Sequence, residues 1–139
     1  MSLEVIVVTP QGEVFSESAE QVVLPGSEGD FGVLEQHEKF LSPLRPGPME
    51  IQFADGHSEW AALSDGFAEV TGEEVVVLVD ECFKAHEIDL EHAQHTRAEA
   101  EQELADLLVS LETEEHRARL ENTIVRLSAQ IEVARRGKH

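Results

Sequence analysis

The sequence predicts an all-β sandwich of short antiparallel strands followed by an antiparallel two-helix hairpin, which is an α+β arrangement overall. Short valine-rich runs recur through the first 87 residues, with turn-forming residues between them. All five prolines lie in that part of the chain. Between Gly72 and Gly137 there is no Gly or Pro, and from residue 88 Ala, Glu, Leu, Gln and Arg dominate, all of which favour helix. We therefore predict a β-sandwich domain over residues 1–87 and a helical hairpin domain over residues 88–139.

Six short apolar runs are the candidate strands, and they cover residues 5–8, 22–24, 49–53, 60–63, 67–70 and 75–79. Asp55-Gly56 separates the third run from the fourth, and Thr71-Gly72 separates the fifth from the sixth. Such dipeptides are typical of tight turns in β-hairpins. No helix-length segment lies between the runs, so the pattern favours a sandwich or barrel over a parallel sheet.

The helical half contains two apolar stripes. Asp89 is the candidate N-cap or first-turn acid of the first helix. The first stripe consists of Ala93, Ala100, Leu104, Leu107 and Leu111, and the second of Leu120, Ile124, Leu127, Ile131 and Ala134. The stripes are out of phase, so one straight helix would rotate its apolar face between them. A turn near residues 112–116 would let both stripes face each other and is favoured, although one continuous helix remains the alternative.

The charge composition excludes several classes of function. The chain carries 29 acidic and ten basic residues, for a formal net charge of −19. A nucleic-acid-binding protein needs a basic surface to displace counterions from phosphate, and an anionic lipid surface also attracts basic residues. The one cysteine, Cys82, excludes an intrachain disulfide and a cysteine-based metal site. No signal peptide or membrane-length apolar segment is present in the sequence, so a cytosolic location and no direct membrane insertion are expected, unless a partner holds the chain at a membrane.

The charges are divided unequally along the chain. Residues 1–87 contain eighteen acidic side chains against three basic ones, whereas residues 116–139 contain six basic side chains against two acidic ones. Arg135, Arg136 and Lys138 suit the C-terminal end of a helix dipole. Arg117 and Arg119 lie near the start of that helix, where the dipole disfavours them. They are therefore candidates for contact with the acidic domain or with an acidic partner.

No catalytic or cofactor motif is present. The chain lacks the glycine-rich phosphate-binding patterns and the nucleophile elbow. His92 and His95 stand three apart on the predicted helix, but no third ligand has a fixed place, so no metal site is predicted. Trp60 and the six Phe residues are interpreted as sandwich core.

The most unusual segment spans residues 24–48. Gly26, Gly29 and Gly32 lie within seven residues and indicate tight backbone bends. Between them, the apolar residues are expected to enter the core, and the polar ones to face outward on a rigid, mostly acidic loop suited to protein contact. The core set is Phe31, Val33 and Leu34, and the outward set is Glu28, Asp30 and His37.

This segment resembles the signature of ATP synthase epsilon subunits. The matching residues are Gly26-Ser-Glu-Gly-Asp-Phe-Gly-Val33, then His37, Leu41-Ser-Pro-Leu44 and Pro46-Gly47. Ser64-Asp-Gly-Phe-Ala-Glu-Val-Thr71 is similar to the family's Gly-Gly-Phe-x-Glu-Val run, with Asp65 where a second Gly is common. The Ala/Glu/Arg/Leu-rich tail is similar to the family's helices. The resemblance covers the whole chain in the right order.

The resemblance implies a non-catalytic subunit of a proton-translocating ATP synthase. It implies a sandwich at the foot of the central stalk that holds the gamma subunit and rests on the c-subunit ring, on the cytoplasmic face of the bacterial plasma membrane. In the family, the residues matching Glu28, Asp30 and His37 face the polar loops of the c ring. Acidic side chains on a rigid loop suit the basic and amide groups of those loops.

The tail is similar to the family's regulatory element, which extends along gamma and restrains ATP hydrolysis by the alpha and beta subunits. In the family, basic residues of the second helix meet acidic segments of the catalytic head, and Arg117, Arg119 and Arg126 are the candidates for this contact. Some members bind ATP through an Ile/Leu-Asp-x-x-Arg-Ala motif. Here Ile88, Asp89, His92 and Ala93 occupy its positions. His92 replaces an arginine that would supply a fixed charge and a forked donor, so tight ATP binding is not expected and no cofactor is predicted.

Overall fold

The structure is a computed structural model that describes residues 2–107 and 113–137. Its first part contains ten strands, and its second part contains two helices. The strands are β1 (Leu3–Thr9), β2 (Gly12–Ala19), β3 (Gln21–Gly26), β4 (Gly29–Leu34), β5 (Phe40–Leu44), β6 (Gly47–Gln52), β7 (Ser58–Leu63), β8 (Gly66–Val70), β9 (Glu74–Val79) and β10 (Cys82–Lys84). A short 3-10 turn over Ala85–Glu87 leads to α1 (Leu90–Asp106) and then α2 (Glu114–Arg136).

The strands form a two-layered sandwich, which confirms the predicted fold class. Their order is β10-β7-β6-β3-β5-β8-β9-β1-β2, with β4 paired to β3. Only one residue pair, Gly26 with Leu44, joins β3 to β5. At this narrow junction the sheet turns a corner. One layer consists of β10-β7-β6-β3-β4, and the other of β5-β8-β9-β1-β2. The hairpins predicted at Asp55-Gly56 and Thr71-Gly72 are present as β6–β7 and β8–β9.

One strand pair departs from the predicted antiparallel pattern. β1 runs parallel to β9, with Glu4 opposite Glu74 and Val8 opposite Leu78. The β1–β2 and β8–β9 hairpins lie side by side in one layer. Because β1 and β9 are the neighbouring strands of these two hairpins and run in the same direction, their contact is parallel. Sequence separation alone does not reveal how two hairpins dock.

Alternating side chains fill the space between the layers. Along β1, Leu3, Val5 and Val7 are buried, and β9 alternates in the same way with Val75, Val77 and Val79. Leu24, Met49 and Ile51 complete the centre of this core. Alternation of buried and exposed side chains is the expected pattern for strands that have one face on a core.

The aromatic residues are less buried than the sequence interpretation expected. Phe15, Phe31, Phe40 and Phe53 are partly buried at the margin of the core. Phe67 is 50% exposed on the outer face of β8, so its assignment to the core was wrong. Phe67 precedes the buried Ala68, and the strand's alternation therefore turns Phe67 outward.

The two helices pack antiparallel, which confirms the predicted hairpin. Arg97 Nη1 donates to Ser128 Oγ over 3.3 Å, and His116 Nε2 lies 3.0 Å from Glu103 Oε1. The first helix ends earlier than the proposed turn at 112–116, because Leu107 already has an extended backbone with ψ 125°. The second helix begins at Glu114, inside the proposed turn. Two positions named in the sequence predictions, Leu111 in the first stripe and Glu112 in the proposed turn, lie outside the described residues.

Helix α2 rests on the sandwich through β6, β7 and β10. Ala62 from β7 packs with Ala129 and Val133 from α2, and Trp60 and Ile88 border this small cluster. Helix α2 therefore covers part of the outer face of one sandwich layer, and α1 packs on α2. None of the helices within the described ranges is both long enough and apolar enough to cross a membrane.

Candidate functional site

The glycine-rich segment forms the tip of a hairpin. β3 and β4 pair throughout their length, from Gln21–Leu34 to Gly26–Gly29, and Ser27 and Glu28 form the turn. Gly29 has φ +134°, a conformation that L side chains rarely adopt. Glu28 is exposed at the tip, as predicted from the sequence. Leu34 is 53% exposed, so its predicted place in the core was wrong, because alternation after the buried Val33 turns it outward.

Asp30 and His37 both face solvent, but they lie in different surroundings. Asp30 forms an ion pair with Arg45. His37 lies beyond the end of β4, where its ring packs on Phe40 with centroids 5.0 Å apart. Phe40 also contacts Phe31 edge to face at 5.5 Å, so a row of three rings connects the His37 end of this surface with β4. A partner of Asp30 has to compete with Arg45 or bind both groups together.

A second candidate surface lies on the uncovered face of the other layer. Pro43, Phe67, Leu78 and Val8 are direct cross-strand neighbours over β5, β8, β9 and β1. Such neighbours have Cβ atoms about 5 Å apart, so they form a continuous row. Leu41, at 64% exposed, extends the apolar surface along β5. We call these five residues the outer apolar row.

The arginines predicted to meet a catalytic head are placed unequally. Arg119 is exposed and lies 4.0 Å from Glu115, one turn earlier in α2. Arg117 is half-buried near the start of the helix. Arg126 faces the sandwich instead and forms an ion pair with Glu81, between β9 and β10. In the docked hairpin, Arg126 is therefore engaged within the chain.

The Ile88–Ala93 motif forms the joint between sandwich and helices. Asp89 caps α1, because its Oδ1 accepts a hydrogen bond from the His92 backbone N–H over 3.1 Å. Ile88 packs on the Trp60 cluster, and Ala93 is buried. The His92 side chain is exposed. Three of the four residues thus have structural contacts at the joint.

Two carboxyl groups and one ammonium group meet at the edge of the sandwich. Lys84 Nζ donates to Glu17 Oε1 and lies 3.6 Å from Glu59 Oε1. Among the described residues, Glu17 Oε2 and Glu59 Oε1 are buried without a hydrogen-bond partner. Since β2 and β10 are the two ends of the strand order, this edge cluster joins them. Lys84 also lies 4.3 Å from the centroid of the Phe15 ring.

The two carboxyl groups of the edge cluster, Glu17 and Glu59, shift each other's pKa in opposite directions. A protonated Glu59 can donate to the neighbouring Glu17 carboxylate, and this interaction, burial and the negative charge of Glu17 together raise the pKa of Glu59. Burial alone would raise the pKa of Glu17, but donation from a protonated Glu59, the hydrogen bond from Lys84 and the Lys84 charge hold it below its usual range. Burial opposes the charge of Lys84, yet its contacts with Glu17 and Glu59 leave its pKa above the usual value.

Glu59→Gln is expected to raise the free energy of unfolding at pH 8, with a smaller gain at pH 4.5. A carboxyl group whose pKa is raised on folding favours the folded state at low pH, and that contribution is lost as the pH rises through the folded-state pKa. Glutamine resembles the protonated group and removes this loss. Urea denaturation at several pH values measures the effect. Glu69→Gln, an exposed change of equal charge on β8, is the control, and equal gains from both variants would contradict the prediction.

Within residues 2–107 and 113–137, no group of three or more His, Cys, Asp or Glu side chains is arranged to hold a metal ion. Cys82 is buried, and this burial, with the nearby Glu87 charge, raises the pKa of its thiol to about 12. A thiol at that pKa carries little of the reactive thiolate at neutral pH.

Sequence reasoning missed the outer apolar row and the Arg126–Glu81 pair. The alternation of Phe67 with Ala68 and of Leu78 with Val79 contains the signal for the row, because one residue of each pair must face outward. No sequence signal identifies the ion pair, since its two residues are 45 positions apart and their approach depends on how α2 docks.

Comparison with known proteins gives a consistent result. The family model described as ATP synthase, Delta/Epsilon chain, beta-sandwich domain matches residues 2–85. The ATP synthase epsilon chain of Nitratidesulfovibrio vulgaris (strain DP4) is 36% identical over 126 residues, which cover 91% of this chain and 93% of the relative. The ATP synthase epsilon chain 1 of Methylococcus capsulatus is 34% identical over 138 residues, which cover 99% and 98%.

Solved structures share the fold. A chain from the cryo-EM structure of Euglena gracilis mitochondrial ATP synthase, comprising OSCP, F1 and the c-ring, aligns with a TM-score of 0.80 at 23% identity, covering 96% of this chain and 81% of that one. A chain from the central stalk and c-ring of Tetrahymena thermophila mitochondrial ATP synthase aligns with a TM-score of 0.58 at 18% identity, covering 94% and 97%.

Proposed function

The chain belongs to the ATP synthase epsilon-chain family, whose members are accessory subunits, and on this premise we propose that it joins the gamma subunit to the c ring and regulates ATP hydrolysis. The observation that carries the first role is the outer apolar row. Helix α2 covers part of the outer face of one layer, whereas Phe67, Leu78 and Leu41 leave apolar surface exposed on the other. Such surfaces are typical of protein–protein contacts.

We assign the outer apolar row to the gamma subunit. The row lies on regular strands, so its side chains are held in fixed positions before binding, which lowers the ordering cost of association. Phe67 stands between Pro43 and Leu78 in the row. An aromatic residue in such a central position is the typical anchor of an interface.

Phe67→Asp is expected to weaken binding to gamma by at least about 2 kcal/mol, roughly thirtyfold, because it removes a central anchor and adds a charge that must be desolvated. Calorimetric titration of purified gamma with the full chain measures the effect. Val125→Asp, at an exposed apolar position on α2, is the matched control. If Phe67→Asp binds gamma as tightly as Val125→Asp does, the assignment of this face to gamma is wrong.

The hairpin tip is the proposed c-ring contact. Glu28 is exposed at the turn, whereas Asp30 carries Arg45 as an ion-pair partner. Basic and amide groups on a partner loop would therefore meet Glu28 first. His37 joins this surface through the ring row with Phe40. Through such contacts the subunit would lie at the cytoplasmic face of the bacterial plasma membrane as a peripheral component.

The second role is regulatory, with the helical hairpin leaving the sandwich to contact the alpha and beta subunits. The charge distribution supports it, because Arg117 and Arg119 follow the acidic first turn of α2 and belong to a segment, residues 116–139, with six basic and two acidic side chains on an otherwise acidic chain. The small size of the cluster at Ala62, Ala129 and Val133 also supports reversible docking. The motif at Ile88–Ala93 has His92 in its arginine position, so regulation is proposed to proceed without tight ATP binding.

A further inference from the structure

A directed polar contact joins helix α2 to the sandwich. Arg126 Nη1 donates to Glu81 Oε1. The rest of the guanidinium is held within the helix, because Nε donates to Asn122 Oδ1 over 2.9 Å and Nη2 donates to Thr123 Oγ1 over 3.4 Å. These bonds fix the direction of the guanidinium, so little side-chain freedom remains to be lost when Arg126 meets Glu81.

Glu81 is fixed from the opposite side by Ser64. Ser64 is 3% exposed, and its Oγ accepts from the backbone N–H of Asp80 over 3.0 Å and of Glu81 over 2.9 Å. Its own backbone N–H donates to the Glu81 carbonyl over 3.1 Å. Three hydrogen bonds therefore hold the turn between β9 and β10, and they orient Glu81 toward α2.

The apolar part of the docking contact is small. Its buried centre consists of Ala62, Ala129 and the larger Val133, and three partly buried residues pack against it: Trp60, Ala85 and Ile88. Because hydrophobic stabilisation scales with buried apolar area, the residues of this centre contribute less than Leu or Phe would. The Arg136 guanidinium lies 4.6 Å from the Trp60 ring centroid and adds a cation–π contact. The ion pair therefore adds a directed contact to this apolar one, and about a third of each of its side chains remains exposed.

We propose that the Arg126–Glu81 pair, oriented by Ser64, is a latch that keeps the helical hairpin docked on the sandwich. Arg126 takes part in both positions of the hairpin. It is paired with Glu81 when the hairpin is docked, and it can reach an acidic partner subunit only after it has left Glu81. Docking and contact with the catalytic head thus exclude each other through the same guanidinium. This inference rests on the proposed regulatory function, and it names the contact that sets the balance.

The test measures the position of the hairpin in the full chain. Spin labels are attached at Glu69→Cys on β8 and Glu121→Cys on α2, both exposed; the buried Cys82, whose thiol pKa is about 12, does not compete for the label. Glu81→Gln is expected to increase the fraction of molecules with a long label-to-label distance roughly tenfold, which is the usual scale for losing a hydrogen bond between charged groups.

Two further variants make the result specific. Glu115→Gln removes the exposed partner of Arg119 on the same helix and is expected to leave the distances unchanged. The Glu81→Arg/Arg126→Glu double variant restores an ion pair and is expected to return the short distance. Equal distances in Glu81→Gln and Glu115→Gln, or a double variant as open as Glu81→Gln, would overturn the latch.

ATP hydrolysis by the assembled complex separates the latch from the regulatory function. With Glu81→Gln in the complex, hydrolysis is expected to fall below that with Glu115→Gln, because more hairpins are free to reach the head. An opened hairpin with unchanged hydrolysis would leave the latch intact and overturn the regulatory function. Unchanged distances with lowered hydrolysis would overturn the latch alone.

Discussion

Gly66→Ala is expected to destabilise the sandwich by about 3 kcal/mol, near the upper end for overpacked sites. A Cβ atom at this position would lie 2.0 Å from the backbone oxygen of Leu78 and 2.9 Å from Val79 Cγ1. Gly66 is paired with Val79 on the neighbouring strand and with Leu44 on the other side. The Leu78 oxygen cannot move aside without disturbing the pairing of β8 with β9. The added methyl group is therefore expected to lower the free energy of unfolding of the sandwich.

Gly72→Ala is the matched control for this prediction. Gly72 lies in the turn between β8 and β9, and the nearest atom to an added Cβ is Gln36 Cα at 3.9 Å, an ordinary contact. Urea denaturation of both variants measures the difference in the free energy of unfolding. A Gly66→Ala variant as stable as Gly72→Ala would show that the β8–β9 pairing tolerates a methyl group at this position.

The second large effect is expected from Val133→Asp, which should detach the helical hairpin while the sandwich stays folded. Val133 is fully buried between α2 and the sandwich. Leaving an unpaired charge there costs about 4 kcal/mol, so separation of the two surfaces is the less costly outcome. Hydrogen exchange is expected to rise in β7 and α2, and ATP hydrolysis by the assembled complex is expected to fall.

Val125→Asp on the same helix is the control, because Val125 is 46% exposed and accepts a charge in water. It is expected to keep the exchange protection of β7. If Val133→Asp retains that protection as well, the small apolar cluster does not hold the hairpin. If β7 loses protection and hydrolysis stays the same, the helices dock as described but do not regulate the complex.

Six of the ten strands and both helices were predictable because their signals are local, whereas β2, β4, β5 and β10 lie outside the predicted apolar runs. Asp55-Gly56 and Thr71-Gly72 each act on adjacent residues, and the two out-of-phase stripes already favoured a turn between the helices over one continuous helix. The parallel β1–β9 contact was not predictable, because it depends on how two separate hairpins dock. The same reason explains Phe67, which composition assigns to the core but alternation with Ala68 turns outward.

The candidate site was predictable only in part. Glu28, at the hairpin tip, follows from the glycines around it, and Asp89 follows from the rules of helix capping. Arg126 was identified as basic and available, yet the structure engages it with Glu81. A charged side chain indicates what it can bind, whereas its actual partner depends on tertiary packing between distant segments.

The parallel contact between β1 and β9 has a consequence for synthesis of the chain. Glu4 and Glu74 are neighbours in the sheet although seventy positions separate them. The ribosome releases the first strand long before its partner exists, so the N-terminal hairpin waits with an unpaired edge while the intervening strands emerge. Contacts of such long range slow folding, and an unpaired edge invites pairing with other chains. Pairing of β9 with this edge therefore removes one site at which a nascent molecule could pair with other chains.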